Sequence, residues 1–377
     1  MMGKKVAIVH EWLSNFAGSE KVTSAMVKLL PEADLYSIVD FLNDKDRQKM
    51  LNGKHARTTY IQKFPFARKN FRFYFPFLLH AIRALNFRAY DLILTSSHAF
   101  AHSIKMHKNN LQICYCHSPM RYIWSMQDLY FRANGFDKMI FSLLPKIYAR
   151  YLRKIDYRTA QTVDYFIANS RFTAERIEKF YNRKSTVIYP PVDIERFPLQ
   201  KEKQEYYLTA SRLVCYKKTD VIVKAFTKMP DKKLVVLGSG KYLKDLKAMA
   251  TPNITFIPFQ KFEKFNEYMR NARAFLFAAE EDFGITMVEA QACGTPVIAF
   301  DKGGANEIVI DNQTGILFDK QEDNCVVEAV NKFEGNYNKF EAEKIRENAI
   351  RFSDQRFKEE LDAFIKKCLN EKSDKVS

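Results

Sequence analysis

Short apolar runs recur along the chain, separated by polar or glycine-bearing loops and by amphipathic stretches. This alternation predicts strands and helices in turn, the pattern of an α/β fold with buried parallel sheets. In the first half Lys4–Val9, Asp91–Thr95, Gln112–Cys116, Val163–Ala168 and Ser185–Tyr189 read as strands; in the second, Tyr206–Ala210, Lys233–Leu237, Ile254–Ile257, Ala274–Ala279 and Val297–Phe300 do. The first strand is followed by a loop, His10–Ala17, and by Gly18 opening an amphipathic helix. The stretch Ile194–Glu205, with Pro198 and a mixed charge run, reads as a linker, so domains are expected over residues 1–195 and 205–350. Helical sequence covers Asn324–Phe333 and, amphipathically, about Gln355 to Leu369; the polar tail Asn370–Ser377 is expected to fray.

The most informative unit runs from Phe275 to Phe318. Its strand breaks into the loop Glu280-Glu281-Asp282-Phe283-Gly284, and a helix follows, for which Thr286 and Glu289 have the spacing of a capping box. Gly294 and Pro296 stop that helix before the next strand. Such a unit sets a loop and the positive end of a helix at the carboxyl edge of a sheet, where backbone amides can bind an anion such as phosphate. Glu281 and Glu289 are placed there, although one also reads as a loop charge and the other as a cap. Gly18, after the first strand, is in a similar arrangement. Arg212 and Lys217 bracket the loop after Tyr206–Ala210, and this spacing lets two cations converge on a diphosphate, or serve as ordinary surface charges. A histidine just past a strand end, His117, lies at the open edge of a parallel sheet, with Tyr122 and Trp124 close behind it in sequence. Gly238-Ser239-Gly240 lacks the third small residue of a dinucleotide fingerprint, Leu243 standing in its place, which disfavours NAD.

At 377 residues the chain suits two cores rather than one. No apolar run has the length of a membrane span, and the first residues pass straight into a strand without the apolar core of a signal peptide. The six cysteines have no paired ligand spacing, and Cys114-Tyr115-Cys116-His117 alternates faces along a strand without a second cluster, so reduced thiols and no metal are expected. The net charge of +16 is lopsided, with 31 Lys and Arg against 16 Asp and Glu in residues 1–200. From Lys54 to Tyr90 there are eight basic residues, no acidic one, and interleaved Phe and Tyr. Arg68, Lys69, Arg72 and Arg83 carry the resulting reading of an anionic membrane surface. Single-stranded nucleic acid and a helix pair with solvated basic faces are the competing readings, but no nucleic-acid module accompanies the stretch.

Glu281 and Glu289 eight positions apart, with Phe283-Gly284 after the first, Ala290 after the second, then Gly294-Thr295-Pro296-Val297 and Gly303-Gly304 with Glu307, resemble the donor site of retaining GT-B glycosyltransferases of family 4. The likeness covers most of the chain and is strongest after Ser211. It implies two doubly wound Rossmann-like domains facing across a cleft, the first binding acceptor and receiving the helix near 355–369, the second binding a nucleotide sugar. By the same resemblance His117 and Glu281 lie by the transferred sugar. Gly18, Arg212, Lys217 and the amides of Phe283, Gly284 and Ile285 hold the donor, and Glu289 binds its ribose. Family members carry two glycines where this chain has Ala17-Gly18. Tyr115-Cys116-His117-Ser118-Pro119-Met120-Arg121-Tyr122 resembles a bacterial branch that builds surface polysaccharides, often from GDP-mannose. Implied partners are a nucleotide sugar, a lipid-linked oligosaccharide acceptor and an anionic membrane. No metal or other cofactor is implied, and the place is the cytoplasmic face of the plasma membrane. The opposing reading is a non-catalytic sugar-nucleotide or nucleic-acid binder of the same fold.

Overall fold

The computed structural model describes residues 3–14, 18–128 and 143–374. The chain forms two compact units, one of residues 1–191 with 355–377 and the other of residues 192–354.

The first unit is a seven-stranded, wholly parallel sheet in the order β3-β2-β1-β4-β5-β6-β7. Its strands are β1 (Val6–Leu13), β2 (Asp34–Asp40), β3 (Arg57–Thr58), β4 (Leu92–Ser97), β5 (Leu111–Cys116), β6 (Tyr165–Ala168) and β7 (Ser185–Val187). β1 outruns the sequence expectation, since His10 and Glu11 belong to the strand and are fully buried rather than starting a loop. β2 pairs on one side of β1 and β4 on the other, so ladder hydrogen bonds continue through residues whose polarity suggests a loop. β2 itself escaped the sequence reading, because its Asp and Ser residues interrupt the apolar run. Asn15–Ala17 lie outside the described residues.

The helix Asp354–Asp374 packs Phe357, Leu361, Ile365, Cys368 and Leu369 into the same core as Ile8, Val22 and Leu94. Their spacing of three and four places them on one helix face. The segment expected to fray from Asn370 stays helical to Asp374, where Glu371 accepts from Tyr165 Oη at 2.7 Å and Lys372 Nζ donates to the Asn109 carbonyl at 3.1 Å.

The second unit is a six-stranded parallel sheet, β10-β9-β8-β11-β12-β13. It comprises β8 (Tyr206–Ala210), β9 (Lys233–Leu237), β10 (Ile254–Ile257), β11 (Ala274–Phe277), β12 (Val297–Phe300) and β13 (Gly315–Phe318). Four of these match the apolar runs to the residue; β8 and β12 are buried almost throughout, as uninterrupted apolar runs require, while β9 and β10 each carry an exposed residue, Lys233 and Thr255. The expected linker is instead part of this unit. Ile194 and Phe197 are buried, and Lys203 Nζ donates to the carbonyls of Arg270 and Cys293 and to Thr295 Oγ1 at 2.9–3.1 Å. Among the described residues no helix is long and apolar enough to cross a membrane.

Candidate functional site

In the second unit the strand order reverses between β8 and β11, the position at which open α/β sheets bind ligands beyond their carboxyl ends. The loops after these two strands carry Arg212, Lys217 and Glu281. Lys217 Nζ lies 2.6 Å from Glu281 Oε1, with the side chains 20% and 17% exposed, and 5.9 Å from the centre of the Phe277 ring. Arg212 is exposed and donates through Nη2 to Tyr216 Oη. The structure therefore joins Lys217 to Glu281 and holds Arg212 on the same loop through Tyr216.

The acidic loop is fixed by glycines. The Gly304 amide donates to the Glu281 carbonyl at 2.9 Å, and a Cβ at Gly303 or Gly304 would fall 2.1 Å from the carbonyl oxygen of Glu281 or Phe283. Phe283 is buried against Phe352, with ring centres 5.5 Å apart. The helix Ile285–Ala292 begins directly after Gly284, which has φ 92° and is the cap. The capping box expected at Thr286 is thus not formed. Gly284 turns the chain into the helix before Thr286, whose hydroxyl already lies within the first turn. The Met287 amide of that turn donates to the Gly284 carbonyl at 3.0 Å; the amides ahead of it open the helix, where N–H groups generally have no intrahelical acceptor. Glu289 is buried one turn further in. Gly238 and Gly240 have a packing role, since a Cβ on either would come within about 2 Å of the Ser211 or Leu213 carbonyl.

In the first unit the strand order reverses between β1 and β4. Gly18 opens the helix Gly18–Leu29, and a Cβ there would meet nothing within 4 Å, so the protein's own packing does not demand a glycine. His117 follows β5 as expected, and its Nε2 is 2.8 Å from Ser96 Oγ. Burial, with the charges of His98 and His10, pulls its pKa down to about 3 and keeps it neutral. Ser96 Oγ also meets His10 Nδ1 and Thr23 Oγ1, each at 3.1 Å. His10 Nε2 lies 3.7 Å from Glu20 Oε1. Burial would raise Glu20, but the hydrogen bond and charge of His10 outweigh it and hold the carboxyl down to about 2.

Glu11 and His98 escaped the sequence reading. Fully buried Glu11 accepts at Oε1 from Ser97 Oγ and from the amides of His98, Ala99 and Ala101, at 2.8–3.1 Å. Its Oε2 lies 3.2 Å from His98 Nδ1. The rule that singled out His117, a histidine just beyond a strand, applies equally to His98 after β4. Trp124, seven residues beyond His117, donates to Asp156 Oδ2 at 2.6 Å and stacks on Phe180.

All four basic residues expected to face a membrane are exposed, Arg68 and Lys69 beside Phe66 and Phe73, each 80% exposed. Arg83 donates to the Ser103 carbonyl at 3.3 Å, and Arg72 lies over the rings of Phe71 and Trp12, at 4.8 and 5.6 Å. The stretch is a string of short helical turns, with Ile61, Phe71, Leu78 and Phe87 buried.

Two doubly wound parallel sheets, one with a cation–carboxylate pair and a glycine-capped helix at its switch point, are the architecture of the GT-B fold. The profile described as "Glycosyl transferases group 1" matches residues 174–352 and that described as "Glycosyltransferase Family 4" matches residues 17–196. The chain belongs to the family 4 glycosyltransferases of the GT-B fold. It is 30% identical over 189 residues to a D-inositol 3-phosphate glycosyltransferase of Mycobacterium sp. strain KMS, covering 44% of this chain and 43% of that protein. It is 31% identical over 189 residues to a GDP-mannose-dependent monoacylated alpha-(1-6)-phosphatidylinositol monomannoside mannosyltransferase of Corynebacterium glutamicum, covering 42% and 49%. The match thus spans less than half the length of these curated relatives. The crystal structure of Anabaena HepE in complex with UDP aligns with a TM-score of 0.73 at 17% identity, over 96% of this chain and all of that one.

Proposed function

We propose that this protein transfers a sugar, mannose in the first instance, from a nucleoside diphosphate sugar to a hydroxyl of a lipid-linked or saccharide acceptor, with retention, in surface-polysaccharide assembly. The observation that carries the reading is the Lys217–Glu281 pair beside the start of the Ile285–Ala292 helix. Charge on a departing diphosphate needs fixed cations and oriented amides more than it needs a nucleophile. Lys217, Arg212 and the amides of Phe283, Gly284 and Ile285 supply these. Glu281 faces the donor sugar and Glu289 the ribose. Gly18 and neutral His117 take from the family resemblance alone their roles, Gly18 for the donor and His117 for the chemistry. No metal takes part in this scheme.

The relatives' names support a phosphate-bearing acceptor and a mannosyl donor, while HepE was crystallised with UDP, so base and sugar are for experiment. Arg68, Lys69, Phe66 and Phe73 would hold the protein reversibly on an anionic membrane, on its cytoplasmic face, where a lipid-linked acceptor is presented. The test is hydrolysis or transfer from radiolabelled GDP-mannose, UDP-glucose and related donors by the purified protein. Release of sugar from one donor, lost in Lys217→Ala, is expected. Tight binding of a nucleotide sugar without turnover in the presence of membrane extracts would favour the non-catalytic reading.

A further inference from the structure

The polar cluster at the carboxyl ends of β1, β4 and β5 holds more charge than orientation of His117 requires. Glu11 Oε1 already ties down the loop after β4 through three amides and Ser97, so the loop needs no further anchor. The other oxygen lies 3.2 Å from His98 Nδ1 as a charge pair; both atoms are buried and neither makes an aligned hydrogen bond, while the His98 side chain as a whole remains 27% exposed. Its Nε2 is the remaining donor of that ring. The ring meets the edge of Trp12 at 85°, with centres 4.8 Å apart, and Arg72 lies over the same indole at 5.6 Å. The His98 ring and the Arg72 guanidinium thus flank one indole at the open edge of the sheet.

We propose that His98, oriented by Glu11 and flanked by Arg72 on Trp12, is an anion subsite that takes a phosphate oxyanion of the substrate. Burial by itself would lower the pKa of His98, and the charge of Arg72 opposes its protonation. The charge and hydrogen bond of Glu11, with Glu20 behind it, outweigh both and raise it. The remaining ionisable neighbours are His10 on β1 and His117 after β5, with ring centres 6.0 and 6.3 Å from His98. A phosphate relieves the repulsion between the His98 and Arg72 charges, and a carboxylate positioned on the far nitrogen holds the ring in the donating form. The inference rests on the transferase reading only in naming the phosphate as a substrate's. The source is either a phosphate on the acceptor or the diphosphate of the donor.

The test is an NMR titration of the full-length protein, labelled at the histidine rings, with inorganic phosphate; His98→Gln identifies the resonance. Phosphate at tens of millimolar or below should move the His98 signal and shift its titration to higher pH. The movement persists under saturating GDP or UDP if the acceptor is the source; if the donor is, the nucleotide itself moves the signal and blocks phosphate. Calorimetry in a Lys217→Ala background should show phosphate affinity reduced roughly ten- to a hundredfold by His98→Gln, the loss of one charge-assisted hydrogen bond. Glu11→Gln retains an acceptor for the loop amides but should let His98 titrate at lower pH and bind phosphate as weakly. A His98 signal unmoved by phosphate and by nucleotide, or equal phosphate affinity in His98→Gln and its parent, overturns the proposal. Wild-type donor hydrolysis is measured separately. A silent His98 in a protein that hydrolyses donor sinks this inference alone, whereas phosphate binding without donor turnover sinks the transferase reading and leaves the anion subsite standing.

Discussion

In the structure Glu281 occupies Lys217, the cation assigned to the diphosphate, so replacing Glu281 with Gln should strengthen binding of a nucleoside diphosphate. The pair is close, at 2.6 Å, and largely screened from solvent, with exposures of 20% and 17%. A diphosphate arriving at Lys217 must displace the carboxylate or share the ammonium with it, and it meets a like charge either way. Two unit charges about 6 Å apart at an effective dielectric of roughly 20 repel by ~3 kcal/mol before ionic screening. With screening and the retained amide contact, a net gain of about 1–2 kcal/mol is expected, or roughly five- to thirtyfold in affinity. The intact nucleotide sugar should gain less, because the same substitution weakens a hydrogen bond to the sugar, and turnover should fall. Lys217→Ala should act in the opposite sense, weakening the diphosphate by about 1.5–3 kcal/mol while leaving the free nucleoside unchanged. Calorimetry with nucleoside, nucleoside diphosphate and nucleotide sugar on the three proteins resolves these terms. If Glu281→Gln weakens the diphosphate as Lys217→Ala does, Glu281 positions the lysine instead of competing for it, and the argument fails.

Glu289→Gln should reduce donor affinity about tenfold with little change in melting temperature, because Gly284 and not a capping box starts its helix; a lower melting temperature with unaltered affinity would make Glu289 a packing residue. Acid should destabilise the first unit. His117, at about 3 when folded against an ordinary 6.5, makes a contribution that is complete above pH ~6.5 and is lost as pH falls toward 3, by at most a few kcal/mol. Glu20, at about 2, adds a loss of the same sign at lower pH, whereas the His98 contribution fades as pH rises through its raised value. Urea unfolding of His117→Asn should accordingly show a shallower slope between pH 6 and 4 than wild type, and an unchanged slope refutes the neutral buried histidine. The double change Arg68→Glu with Lys69→Glu should abolish sedimentation with anionic vesicles, as should roughly molar salt; equal binding to neutral vesicles would discount the electrostatic face.

The alternating pattern and five of the six strands of the second unit, β13 excepted, were legible because a strand covered on both faces must be continuously apolar, which a sequence displays without a partner. Glu281, Glu289, Lys217 and Arg212 were legible for a related reason. The loops of Arg212, Lys217 and Glu281 follow such strands directly, and the helix bearing Glu289 follows the last of these loops, so their place near the carboxyl edge follows from chain order. What tertiary structure decided is different in kind. The pairing of Lys217 with Glu281 joins residues 64 positions apart, across strands β8 and β11 that are neighbours only because the sheet order reverses there. The starting point of the Ile285–Ala292 helix depended on a left-handed Gly284 and on the close approach of Gly303 and Gly304, neither of which a capping pattern records. In the first unit, burial of His10 and Glu11 within β1 went unseen, because a polar residue ends an apolar run in sequence. In the fold, Glu11 Oε1 is satisfied by amides and a serine hydroxyl some 86–90 positions away, contacts that exist only once β1 and β4 lie side by side. The sequence by itself determined which segments must be buried strands; the partners that let buried charges remain there were decided by strand order.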